Sequence, residues 1–326
     1  MLGGSGFPLG WMLGPAFAGL TLTLWGHEVK SDGRYGDIGR AILGAAIGGG
    51  VTMAHWVWLI GKPQLVALVL VSTALCSALG YAWLRRCCRW GPGTAYFSSL
   101  PGGLSEMVEL ARSSGVDAGP VALAHTLRVF FLVAGSSAVI AYLEQVNLTQ
   151  MSFGRVGVHE IILLLICVPL GLWLGKRLRL PAPSVLGPLL LAAFLSATAD
   201  LSARPPQIGI ILAQFFIGWS LAARFRGIDR SSLPRLIVQV AGQLALIVPV
   251  WWMAALLGSV WLGINIETAV LGLAPGGQAE MALLALLVGV SAVWVVMMHL
   301  LRVLIIVGTA GWLFRRLGLE NSLSRR

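Results

Sequence analysis

Charge is scarce in this sequence. Only 11% of its 326 residues are Asp, Glu, Lys or Arg, against about 25% in soluble domains. Acidic residues are scarcest, 13 against 23 Lys and Arg. A chain that is 57% hydrophobic with a mean hydropathy of +0.84 cannot clothe a globular surface. Ten-residue segments of alternating polarity are also missing, which excludes an outer-membrane barrel. The class left is an all-α polytopic membrane protein. The four cysteines (Cys76, Cys87, Cys88, Cys167) show neither metal-ligand spacing nor a secreted disulfide pattern. Cys87 and Cys88, among Arg85, Arg86 and Arg89, read as reduced thiols at a helix end. No metal, cofactor or nucleophile–base pair is visible, so no enzyme is expected. No soluble segment is long enough to read nucleic acid. The net charge of +10 instead sits in short loops, where it orients the chain and meets anionic lipid. Met1 to Gly6 carries no basic region, so no cleavable leader is expected.

Runs of about 20 apolar residues mark bilayer crossings. The sequence predicts nine, near 7–26, 38–60, 64–84, 118–143, 157–175, 182–200, 205–223, 236–260 and 291–314. Two more apolar stretches, 94–113 and 266–289, are each interrupted by Pro-Gly-Gly and give half-length pieces.

Those interruptions repeat. Pro101-Gly102-Gly103-Leu104-Ser105-Glu106-Met107, followed by His125 and Arg128, is matched 174 positions later by Pro275-Gly276-Gly277-Gln278-Ala279-Glu280-Met281, followed by His299 and Arg302. Leu13-Gly14-Pro15 matches Leu186-Gly187-Pro188 at an offset of 173, and Ile38-Gly39 matches Ile208-Gly209 at 170. Residues 1–145 therefore read as a first membrane repeat, 146–179 as a connecting segment with one helix, and 180–326 as a second repeat. That connecting helix has no counterpart ahead of residue 7, so the first copy is expected to lack a helix at its front.

Loop charge fixes the expected topology. If both broken stretches are re-entrant hairpins, 18 basic residues lie on one face and three on the other. If both cross fully, the division is 12 against nine. The positive-inside rule favours hairpins. The two copies then have opposite orientation, an inverted repeat, with the Pro-Gly-Gly tips meeting near the membrane midplane. The expected location is a bacterial inner (cytoplasmic) membrane, multi-pass, with the C-terminus in the cytoplasm. A homodimer is left open.

Proline stops a helix, and glycine permits positive φ and close backbone approach. New helices are expected to start at Gly103 and Gly277, and two helix starts aimed at one centre make an anion site. Gly102, Gly103, Ser105, Gly276, Gly277 and Gln278 are thus candidate solute-binding residues, with Arg128 and Arg302 as anion ligands. A buried Arg costs several kcal/mol unless paired or hydrated, so a structural Glu–Arg ion pair is the competing reading. Glu106 and Glu280 fall at the third helical position and can either cap their helix or carry a coupling proton. His125 and His299 suit a proton relay or simple packing.

In these motifs the chain resembles the AbrB-type integral membrane family, a duplicated membrane domain with Pro-Gly-Gly-x-x-Glu-Met and His-x-x-Arg once per half, plus Leu-Gly-Pro. The resemblance covers nearly the whole chain. It implies little about activity, since members carry labels as different as ammonia monooxygenase and regulator of gene expression. No His and carboxylate set here suits copper or iron. The expected function is secondary transport of a small anionic solute, coupled to protons or ions. A channel for a small neutral or gaseous solute is one alternative. The other is a membrane regulator without transport, for which the longest cytoplasmic loop, Gly26 to Ile38, offers little surface.

Overall fold

The computed structural model describes residues 9–27, 32–144, 158–199, 207–225 and 231–319. The loops holding Arg155 and Arg204, and the C-terminal residues 320–326 expected in the cytoplasm, lie outside them. Every regular element among the described residues is helical. Among the described residues, four helices are long and apolar enough to cross a membrane: Pro63–Cys87, Ala118–Tyr142, Leu233–Leu262 and Ala292–Arg316. The helix matching 157–175, Val158–Arg177, has 20 residues, and those matching 7–26, 182–200 and 205–223 have 16 or 17.

The helices are α1 (Gly10–Trp25), α2 (Gly33–Gly48), α3 (Met53–Ile60), α4 (Pro63–Ala82), α5 (Pro92–Ser99), α6 (Leu104–Ser113), α7 (Ala118–Glu144), α8 (Val158–Arg177), α9 (Pro183–Ala199), α10 (Gln207–Ala223), α11 (Leu233–Leu262), α12 (Ile266–Leu273), α13 (Gln278–Val288) and α14 (Ala292–Arg316). A π-helical turn, Trp83–Cys87, extends α4. The stretch expected as one crossing at 38–60 is two helices. Gly48, Gly49 and Gly50 are each poor helix formers, and α3 starts afresh where the His55 ring lies against the Thr52 N–H and hydroxyl, 3.2 and 2.7 Å away. Both Pro-Gly-Gly stretches break as expected. α5 and α12 have 8 residues each, α6 has 10 and α13 has 11. At 1.5 Å per residue each piece spans about half a bilayer core or less.

The chain packs as two compact units, and each takes segments from both sequence copies. The first contains α1, α2, α8, α9 and α10. Here α1 packs on α10, and α2 on both α9 and α10, so helices of one copy are seated on helices of the other. Two non-glycine residues with positive φ, Leu9 and Ala182, precede α1 and α9 at φ 55 and 47. They are 173 positions apart, so the duplication extends to a strained backbone feature. Asp37 ties this unit together, bonded to Arg40 at 2.9 Å, Lys176 at 3.0 Å and Ser184 at 2.6 Å. Burial alone would raise its carboxyl, but these hydrogen bonds outweigh it and hold the pKa below the ordinary 3.8.

The second unit contains α4, α5, α6, α11, α12, Ala118 to Val133 of α7, Gln278 to Met281 of α13 and Trp294 to Arg316 of α14. Tyr96 and Phe97 of α5 pack against Phe314 of α14, and the Tyr96 hydroxyl donates to the Ala310 carbonyl at 2.9 Å. α5 of the first broken stretch thus rests on α14.

Candidate functional site

All twelve candidate residues fall in the second unit. Their geometry follows from the two helix breaks. α5 is followed by Leu100 and α12 by Ala274, both with non-helical ψ of 127 and 132. Such ends leave carbonyls without helical partners. The His-x-x-Arg pairs supply them. His125 Nε2 lies 2.9 Å from the Phe97 carbonyl, while Arg128 donates to the carbonyls of Ser98 at 3.1 Å and Leu100 at 3.0 Å. In the second copy His299 Nε2 lies 2.9 Å from the Leu271 carbonyl, and Arg302 donates to that of Ala274. Phe97 and Leu271, and likewise Leu100 and Ala274, are 174 positions apart, so the sequence offset reappears as the same hydrogen bonds. Cationic groups at helix C-termini also favour the helix dipole.

Each arginine makes one more bond of this kind. Arg128 Nη2 lies 2.9 Å from His125 Nδ1, and Arg302 Nη2 lies 2.7 Å from His299 Nδ1. A guanidinium can only donate, so each Nδ1 accepts and the ring proton sits on Nε2, directed at a carbonyl. Both histidines are thereby neutral in this arrangement, and each holds its arginine in place. Neither arginine has a carboxylate partner among the ion pairs of the described residues. Backbone carbonyls at a helix end, and not Glu, hold these buried charges.

One donor on each arginine is unused. Arg128 is 1% exposed and Arg302 5% exposed, yet the Nε of each has no hydrogen-bond partner. Gln278 Nε2 is a third buried nitrogen without one. Arg128 Nε faces the second break, 3.6 Å from where a Cβ on Gly276 would sit. Val129 and Leu132, also on α7, line the same spot at 3.7 and 3.6 Å, so the second tip rests on a helix of the first copy. Arg302 also lies within electrostatic reach of Arg128.

The carboxylates sit over their own helix starts. The atom nearest to a Cβ on Gly103 would be Glu106 Oε2. On Gly277 it would be Glu280 Oε2, at 3.3 Å. This is the position of a glutamate folded back over its helix cap. The two tips differ in backbone. Gly276 and Gly277 have φ of +156 and +70, whereas Gly103 has φ of −66. The expected positive φ therefore belongs to the second tip alone. The second tip is also the more enclosed: Gly276 and Glu280 are buried, whereas Gly102, Gly103 and Glu106 are half-buried and Ser105 is exposed.

Three features had no clear sequence signal. Cys76 Sγ lies 3.9 Å from the carbonyl of Ile247, 171 positions away, where α4 packs on α11. Cys76 also feels the charge of both Arg128 and Arg302. Ser98 Oγ and both amide atoms of Gln243 are buried without partners. The Gln243 amide of α11 fills the space left by Gly80 on α4.

These features define a helical membrane-type protein with a duplicated, arginine-centred pair of helix breaks. Residues 11–318 match the family described as "Transition state regulatory protein AbrB", and the chain belongs to that family. It is 28% identical over 292 residues to "Putative regulator AbrB" of Escherichia coli (strain K12), covering 85% of this chain and 81% of that one. It is 23% identical over 341 residues to "Uncharacterized protein YhjN" of Bacillus subtilis (strain 168), covering 93% and 86%. No solved structure matches.

Proposed function

We propose that the chain is a secondary transporter for a small anionic solute, built as an inverted repeat in a bacterial inner membrane with its C-terminus on the cytoplasmic side. The two broken segments act as re-entrant hairpins, and the solute binds where the second tip faces Arg128. The observation that carries this reading is the pair of buried, unused Nε–H groups on Arg128 and Arg302. A buried donor without a partner costs about 1–3 kcal/mol. An anionic acceptor would recover that cost at both arginines. Gln278 Nε2 adds a further buried donor beside the same tip. The contact of Cys76 with Ile247 brings α4 and α11 together within electrostatic reach of both arginines.

Coupling falls to Glu280 and Glu106. The histidines, each neutral and bonded on both nitrogens, serve to hold the arginines. No cofactor or enzymatic step enters the scheme. The test is uptake of labelled small carboxylates into proteoliposomes under an imposed proton gradient. The reading requires saturable, gradient-dependent uptake that is lost on combining Arg128→Ala with Arg302→Ala. Equal uptake by wild type and double variant would remove the assigned role, and non-saturating flux without a gradient would favour a channel.

The printed names of the family and of the Escherichia coli relative favour a second reading, a membrane-embedded regulator without transport. In that case no solute in the panel would accumulate, and deletion would alter gene expression without altering uptake.

A further inference from the structure

The end of α4 departs from regular geometry. Its last turn is π-helical, Trp83–Cys87, and Arg89 follows with a φ of +59, a left-handed conformation that costs a non-glycine residue about 1–2 kcal/mol. π-turns and strained residues concentrate at functional sites. Beside this turn lies an open cleft of about 510 Å³, bounded by Trp83, Cys87 and Cys88 on one side and by Pro234, Arg235 and Val238 of α11 on the other. The Trp83 indole N–H is already bonded to the Gln239 carbonyl at 2.8 Å, so Trp83 offers the cleft only an apolar ring. Pro234, Arg235 and Val238 are exposed. So are Arg86 and Arg89, which immediately flank the cleft-lining Cys87 and Cys88.

Apolar walls with Arg235 beside them, and Arg86 and Arg89 next in the chain to the cleft-lining cysteines, suit an amphiphile with an anionic head. We propose that the cleft binds an anionic phospholipid, with its glycerol and upper acyl chain against Trp83, Pro234 and Val238 and its phosphate at Arg235, Arg86 and Arg89. The charge complementarity excludes a zwitterionic lipid as the preferred occupant, and the apolar walls leave a free phosphate ion without partners on most sides. The cleft belongs to the basic face that loop charge assigns to the cytoplasm, where anionic headgroups attract Lys and Arg.

The test is native mass spectrometry of the full chain in mild detergent, titrated with phosphatidylglycerol, phosphatidylcholine or inorganic phosphate. Arg235→Ala should weaken phosphatidylglycerol binding about five-fold, from the loss of one cation near a headgroup, and adding Arg86→Ala should weaken it further. Arg235→Lys should restore binding, and Val238→Asp should lower it through the apolar wall. Phosphatidylcholine should bind more weakly than phosphatidylglycerol and respond to none of the arginine changes. Unchanged phosphatidylglycerol binding in the double arginine variant would overturn the proposal. So would equal affinity of the wild type for both lipids, or displacement of the lipid by excess phosphate. Arg235 and Arg86 are exposed, so their removal leaves the core intact.

Discussion

Arg128 and Gly276 face each other across the duplication: the guanidinium Nε of one lies 3.6 Å from where a Cβ on the other would sit. Arg128 belongs to the first copy and Gly276 to the second. The same guanidinium caps the end of α5 through Ser98 and Leu100. One side chain therefore holds the first break together and presents an unused donor to the second.

The two arginines should differ in structural weight. Arg128 bonds two carbonyls and Arg302 one. Each orphaned carbonyl costs about 1–3 kcal/mol. Arg128→Ala should therefore lower the thermal midpoint in detergent more than Arg302→Ala does. Equal losses would mean that the helix ends find other partners.

Both histidines should hold a single tautomer. The guanidinium donates to Nδ1 in each pair, so adding a proton there would set a cation and a second donor against Arg. Nitrogen-15 NMR of labelled histidine at pH 7 should show the proton of His125 and His299 on Nε2. Charged imidazole signals from either residue at pH 7 would contradict this geometry.

Gly277→Ala and Gly103→Ala should diverge, although the sequence makes them equivalent. Gly277 has a φ of +70, where a side chain costs about 1–2 kcal/mol. Gly103 has a φ of −66, and an alanine there meets only the mobile end of Glu106. Differential scanning fluorimetry should show the larger loss for Gly277→Ala. The reverse order would contradict the asymmetry of the tips.

Asp37 makes stability depend on acid. Its pKa is lowered by Ser184, Arg40 and Lys176 despite the opposing effect of burial, so its contribution is present above the unfolded value near 3.8 and is lost as pH falls through the folded value. Asp37→Asn should cost about 1 kcal/mol at pH 7, and the gap between the two proteins should narrow as pH falls below the unfolded value of 3.8. A gap that does not narrow as pH falls below 3.8 would assign the loss to packing and not to charge.

The helix breaks were legible in the sequence because proline and glycine carry them directly. The offset of 174 between Pro101 and Pro275 reappears as equivalent carbonyls under His125 and His299. The partners of Arg128 and Arg302 were not legible, because backbone carbonyls leave no trace in residue identity and nearby Glu106 and Glu280 suggested ion pairs. The split of 38–60 was readable in three consecutive glycines, but the apolar run around them reads more strongly as a crossing. The differing φ at the tips was hidden because the motif glycines are identical. The two packing units were hidden because each draws on both copies, and only tertiary contacts separate them.

The most direct measurement is anomalous diffraction from crystals grown with a brominated small carboxylate. The account predicts the anion within hydrogen-bond distance of Arg128 Nε or Arg302 Nε, beside Gly276 and Gln278. Either Nε bonded instead to the Glu280 carboxylate, with the brominated anion bound elsewhere, would contradict it.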